Sequence, residues 1–106
     1  MIYITIWQKK MKFEWDITKE GTNIRKHKVS FSEACLVFSD RSLLTLFDDG
    51  HSMDEDRWIT MGQIPNGQVL VVIHTYLDIE GAETIRIISA RKAVKKEIEQ
   101  YFKRRL

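Results

Sequence analysis

Hydrophobic and polar positions along the chain change period several times, and each change predicts an element. Phe13-Glu14-Trp15 alternates and predicts a short strand. Asp16 then reads as an N-cap that opens a helix from Ile17 to about His27, with Ile17 and Ile24 seven apart on one face. Gly21 weakens that helix from within. Ser30-Phe31-Ser32-Glu33 fits a capping box, and Phe31, Ala34, Cys35 and Phe38 follow at the spacing of one apolar helical stripe. Four strand-like segments come next: Leu43–Phe47, Trp58–Gly62, Val69–Thr75 and Thr84–Ala90. Pro65-Asn66-Gly67 and Glu80-Gly81 are turn signals between them. The last segment, Arg91–Leu106, reads as a helix with Val94, Ile98, Tyr101 and Phe102 on its apolar face. Lys92, Lys95, Lys96 and Lys103 point elsewhere.

The predicted order is β-α-α-β-β-β-β-α. Short links between consecutive strands predict an antiparallel meander. Separate runs of helices and strands give an α+β domain, with the helices on one face of an antiparallel sheet. No linker or repeat interrupts the 106 residues, so residues 1–106 form one domain. Residues 1–10 are a candidate N-terminal extension, because Met11 is a second candidate start. They would then be an added strand or a leader. The apolar start MIYITIWQ has neither a basic n-region nor a small-residue cleavage site, so it is not a convincing signal peptide.

Composition narrows the class. At 43% hydrophobic and 30% charged residues the chain is an ordinary globular protein, which excludes wholesale disorder. Cys35 is the single cysteine, so no intrachain disulfide forms. With no apolar run near the roughly 20 residues of a membrane span, a cytoplasmic protein is expected. Cys35 lies on the apolar stripe of the second helix and reads as core packing.

Charge changes the picture more. Residues 1–47 carry net +3, residues 48–84 net −7 and residues 85–106 net +6. The basic end suits phosphate or an acidic partner. Arg86 interrupts the apolar run Ile85-Arg86-Ile87-Ile88, where a guanidinium needs a partner or a groove. It reads either as an ion pair with an acid at 48–56 or as a phosphate ligand. Arg91 sits where a strand is expected to meet a helix, whose N–H groups also favour anions. Glu55 and Arg57 alternate into a strand on one face with Ile59. His74 ends an apolar strand on the face of Leu70 and Val72, so it either finds a structural partner or lines a cleft. Lys26-His27-Lys28 closes the first helix as a cation cluster on its dipole. The chain has no phosphate-binding glycine loop, HExxH or CxxC.

Taken in order, these motifs resemble a family. Phe13-Glu14-Trp15-Asp16, Asn23-x-x-Lys26-His27-x-Val29-x-Phe31-x-Glu33-Ala34 and Phe38-x-Asp40 are similar to the BrnT toxins. So are Glu55-Asp56-Arg57-Trp58-Ile59-x-x-Gly62, Val71-Val72-x-His74-Thr75 and Arg86-Ile87-Ile88-Ser89-Ala90-Arg91-x-Ala93. The resemblance spans about residues 11–102. It implies a RelE-like fold and a ribonuclease of a type II toxin–antitoxin pair that stops translation. It also implies a ribbon-helix-helix antitoxin, BrnA, which neutralises the toxin and through which alone the toxin meets operator DNA. Many members place two glutamates before the arginine; here they are Glu55 and Asp56, and the longer acid is the better candidate.

On that footing RNA supplies its own nucleophile, the 2′-hydroxyl. Stabilisation of the phosphorane charge is expected from Arg57, Arg86 and Arg91, and acid–base work from Glu55 and His74, with Lys26, His27 and Tyr101 behind them. Lys26, His27, Tyr101 and Lys92 are expected to bind RNA, although Tyr101 reads first as helix packing. No cofactor or metal is expected, and no membrane partner. The rival reading is a non-catalytic or degenerate toxin that serves as binding partner and co-repressor of its antitoxin.

Overall fold

The computed structural model describes residues 2–8, 11–51 and 54–105. Six strands form a single sheet in the order β1-β2-β6-β5-β4-β3. They are β1 (Tyr3–Gln8), β2 (Met11–Asp16), β3 (Leu44–Phe47), β4 (Trp58–Gln63), β5 (Val69–Ile79) and β6 (Ala82–Lys92). The helices are α1 (Ile17–His27), α2 (Phe31–Cys35) and α3 (Lys95–Arg105). The expected meander is present, with β3, β4, β5 and β6 pairing antiparallel in turn.

Local signals set the element ends. The Asp16 carboxylate accepts from the Thr18 amide at 2.8 Å and starts α1. Ser30 and Glu33 complete the reciprocal capping box that starts α2. The chain then tightens into a 3₁₀ turn over Leu36–Ser39, which turns Val37 fully inward and leaves Phe38 half-buried. Glu80 and Gly81 take positive φ values of 51° and 81°, the backbone of a two-residue hairpin whose twist suits the strands. Gly62 is needed for close approach. A Cβ there would lie 2.8 Å from Val37 Cγ1 and 3.1 Å from the Val37 carbonyl oxygen.

Residues 3–8 form a sixth strand, β1, antiparallel to β2, which is the added-strand alternative for this segment. Two features correct the sequence expectation. The sheet is mixed, because β2 runs parallel to β6. The helices do not share one face. Leu70 and Val72 of β5 pack in the cluster that holds Phe13, Trp15, Phe31 and Cys35, under α1 and α2. Val69 and Val71, alternating with them, pack instead with Met61, Tyr101 and Ile98 of α3. A strand buried on both faces reads as the continuous apolar run 69–73.

α1 is fixed at the sheet by Asn23, which is 5% exposed. Its side-chain amide donates to the Ala90 carbonyl at 2.8 Å and accepts from the Ala90 amide at 3.0 Å. It also donates to the Val29 carbonyl at 2.9 Å. β2 pairs with β6 only at Thr84–Arg86, so the amide occupies the β6 edge that β2 leaves free.

Candidate active site

The parallel β2–β6 contact aligns Glu14 with Arg86, and the antiparallel β5–β6 contact aligns Arg86 with Thr75. The three side chains therefore lie in one cross-strand row, on the sheet face opposite α1 and α2. α3 covers only the far part of this face, around Met61, Val69 and Val71. Arg86 donates from Nη2 to Glu14 Oε2 at 3.2 Å, and its guanidinium lies 5.0 Å from the Tyr3 ring centroid. The side chain is one-third exposed while Glu14 is nearly buried, at 33% and 7%. The expected ion pair thus exists, but its acid is Glu14 and not one of the acids at 48–56. Arg86 Nε and Thr75 Oγ1 are buried with no hydrogen-bond partner. Such unused polar atoms are costly, and here they adjoin in register.

Arg91 faces the same side as Val71, its partner on β5. It is the penultimate residue of β6 and not a helix-start residue, since α3 begins at Lys95. Its two terminal nitrogens bond Glu97 Oε1 and Oε2 at 2.8 and 2.9 Å. The Glu97 hydrogen bonds push the Arg91 pKa up, and the same bonds push that of Glu97 down. Glu97 also accepts from the Val94 amide, capping α3. Arg57 is half-buried just before β4, its carbonyl accepting from the Asp48 amide. Glu55 is exposed in a bend and does not alternate into β4, which begins only at Trp58.

His74 lies on the opposite face. It is fully buried, and its Nε2 is 2.7 Å from Thr60 Oγ1, which is 2.8 Å from Thr45 Oγ1. The Phe38 ring meets it edge-on at 4.9 Å. Burial pushes its pKa down to about 4, against a smaller raising contact with the Thr75 backbone. His74 is thus separated from Arg57, Arg86 and Arg91 by the sheet itself. Tyr101 is also fully buried, and its hydroxyl donates to the Asp40 carboxylate, which also accepts from the Gln63 amide at 2.8 Å. A cavity of about 590 Å³ adjoins Asp40, Gln63 and Ile64, and no arginine is among its described lining residues.

Lys26 and His27 are exposed at the end of α1 and line a groove of about 260 Å³ with Thr22, Ile88 and Ser89. Lys92 is exposed at the end of β6. Among the described residues no three His, Cys, Asp or Glu side chains gather as metal ligands, and no helix is long and apolar enough to cross a membrane. Sequence reasoning gave no site role to Glu14, Thr75 or Glu97. Each acquires its place by pairing or packing, which single-residue patterns do not carry.

The fold is thus α+β, with α1 and α2 on one sheet face and two ion-paired arginines, Arg86 and Arg91, on the other. Residues 15–97 match the family described as ribonuclease toxin, BrnT, of type II toxin–antitoxin systems. The chain belongs to that family. It is also similar to the crystal structure of the Brucella abortus ribonuclease toxin BrnT, with a TM-score of 0.56 and 24% identity. That likeness covers 76% of this chain and 94% of the other, and it bears on the fold alone. No curated protein matches the chain.

Proposed function

We propose that the chain is a metal-independent RNA endonuclease with a RelE-like fold that stops translation in the cytoplasm. A BrnA-type ribbon-helix-helix antitoxin neutralises it and carries it to operator DNA. One observation supports the catalytic reading most: in the row Glu14–Arg86–Thr75, Arg86 is one-third exposed and its Nε, like the neighbouring Thr75 hydroxyl, has no hydrogen-bond partner. A scissile phosphate would meet the exposed part of the Arg86 guanidinium, which would stabilise the phosphorane charge.

Arg57 and Arg91 flank that row and hold the neighbouring phosphates. For Arg91 this requires exchange of its Glu97 fork for a phosphate, which has the same bidentate geometry. Acid–base work falls to Glu55, which is exposed near Arg57, while His27 binds RNA at the α1 groove, on the other side of the sheet from the row. His74 supports the sheet beneath the site as a neutral, sealed imidazole. Lys26 and Lys92 hold RNA outside the row, and Tyr101 is scaffold.

The test is RNA integrity in cells after induction of the chain without antitoxin. Fragmented RNA with arrested growth is the expected result. Intact RNA with arrested growth would replace cleavage by plain binding, and intact RNA with normal growth would leave a degenerate toxin that only holds its antitoxin.

A further inference from the structure

The arginine face has a chemical opposite across the sheet. On the His74 side, past the helices, Phe47, Trp58 and Tyr76 form an aromatic row. Their rings meet edge to face, with centroids 5.1 Å apart for Phe47–Trp58 and 5.8 Å for Trp58–Tyr76. Phe47 and Tyr76 are each 41% exposed. A cleft of about 350 Å³ opens beside them between Phe38, Leu43, Tyr76 and Ile85. Contiguous apolar surface of this kind marks a docking site.

Carboxylates frame it. Asp78 and Glu83 are direct cross-strand partners just beyond Tyr76, and by strand parity they share its face. Glu83 lines the cleft. Burial, and then the Glu83 charge, push the Tyr76 phenol up. Glu80 sits at the tip of the β5–β6 hairpin, and Asp48 follows Phe47 directly. Lys12 is the cation on the cleft wall. Like charges directly opposite on an antiparallel pair destabilise it. Asp78 Oδ1 accepts from the Gly81 amide at 2.9 Å, and the Asp78–Glu83 pair as a whole favours a cation beside it.

We infer that this aromatic, acid-rimmed patch anchors a cationic protein segment with apolar side chains, supplied by the antitoxin. The inference rests on the toxin reading above for the existence of that partner. Charge selects the occupant. Phosphates are repelled by Asp48, Asp78, Glu80 and Glu83, whereas lysines and arginines are drawn to them. Apolar side chains from the same segment cover Phe47 and Tyr76. The partner is thus held on one sheet face while RNA uses the other, and the patch is the anchor rather than the inhibitory contact.

The experiment measures binding of a purified BrnA-type antitoxin to the chain. Phe47→Ala and Glu83→Lys each raise the dissociation constant about tenfold or more. Binding by the unsubstituted chain weakens as salt rises. Neither variant alters RNA cleavage in the absence of antitoxin. Glu83→Lys sets a lysine opposite Asp78, so its melting temperature rises and unfolding is excluded as the cause. Unchanged antitoxin binding in both variants overturns the inference. So does loss of RNA cleavage with binding retained, which would make the patch an RNA-stacking surface. If the patch variants lose the antitoxin but the unsubstituted chain cuts no RNA, the docking inference stands and the nuclease reading falls.

Discussion

His74 and Thr75 are consecutive in β5 and almost equally buried, at 0% and 2% exposure, yet they serve opposite environments. His74 points into the side packed by α1 and α2, where it meets hydroxyls and rings and stays neutral. Thr75 points to the arginine side, where its register partner Arg86 is ion-paired with Glu14 and one-third exposed. One step along a strand therefore separates a polar group used for packing from one that faces the proposed site. Burial and residue type do not distinguish the two; the neighbouring strands do.

The largest effect should come from the arginine side. Arg86→Ala is expected to lower RNA cleavage by about 10²–10³-fold, the scale of losing one preorganised charge-stabilising donor. Arg91→Ala should lower it less, because Glu97 already holds that side chain. If both variants stay folded and fully growth-arresting, the site is misplaced.

On the opposite side the expected effect is on stability. An ordinary imidazole titrates near 6.5, and burial holds His74 at about 4. Between those values the unfolded chain takes up a proton that the native state refuses. Stability should therefore fall as pH drops from about 6.5 toward 4, by about 3 kcal/mol in all. Chemical denaturation at several pH values checks this, and His74→Gln should flatten the slope. A flat profile in the unsubstituted chain would mean that His74 is not sealed.

A smaller loss, about 2 kcal/mol, is expected for Asn23→Ala, which leaves the Ala90 amide and carbonyl unpaired at the β6 edge. Thermal melting measures it directly. Smallest is Tyr101→Phe, which removes one hydroxyl from Asp40 and should cost about 1 kcal/mol with cleavage unchanged. Impaired cleavage in a stable Tyr101→Phe protein would return Tyr101 to the RNA surface. Cys35 provides a control. Burial, and then the Glu20 charge, push its thiol up to about 12, so it should react with iodoacetamide only once the chain unfolds.

Features set by neighbours in sequence were legible in the chain alone. The Asp16 cap, the Ser30–Glu33 box and the turns at Pro65-Asn66-Gly67 and Glu80-Gly81 each depend on a few adjacent residues. The antiparallel order of β3 to β6 followed from short connections. The parallel β2–β6 contact joins positions 72 residues apart, and no local rule carries it. That contact supplies Glu14 to Arg86, so the arginine was recognisable as a residue in need of a partner while the partner was not. The same limit applies to α3. Its apolar stripe gave a helix with a buried Tyr101, but which sheet face it covers depends on the crossing after Lys92. Asn23 was hidden for a related reason, since a polar residue within a helix gives no sign that it completes a strand edge.

In the proposed mechanism RNA is cut by its own 2′-hydroxyl on the arginine face. The direct measurement incubates the purified chain with an RNA oligonucleotide and with the same oligonucleotide carrying a 2′-deoxy sugar at the cleaved position. The RNA should be cut to a product ending in a 2′,3′-cyclic phosphate, and the deoxy substrate should stay whole at that position. Equal cleavage of both substrates would contradict the account.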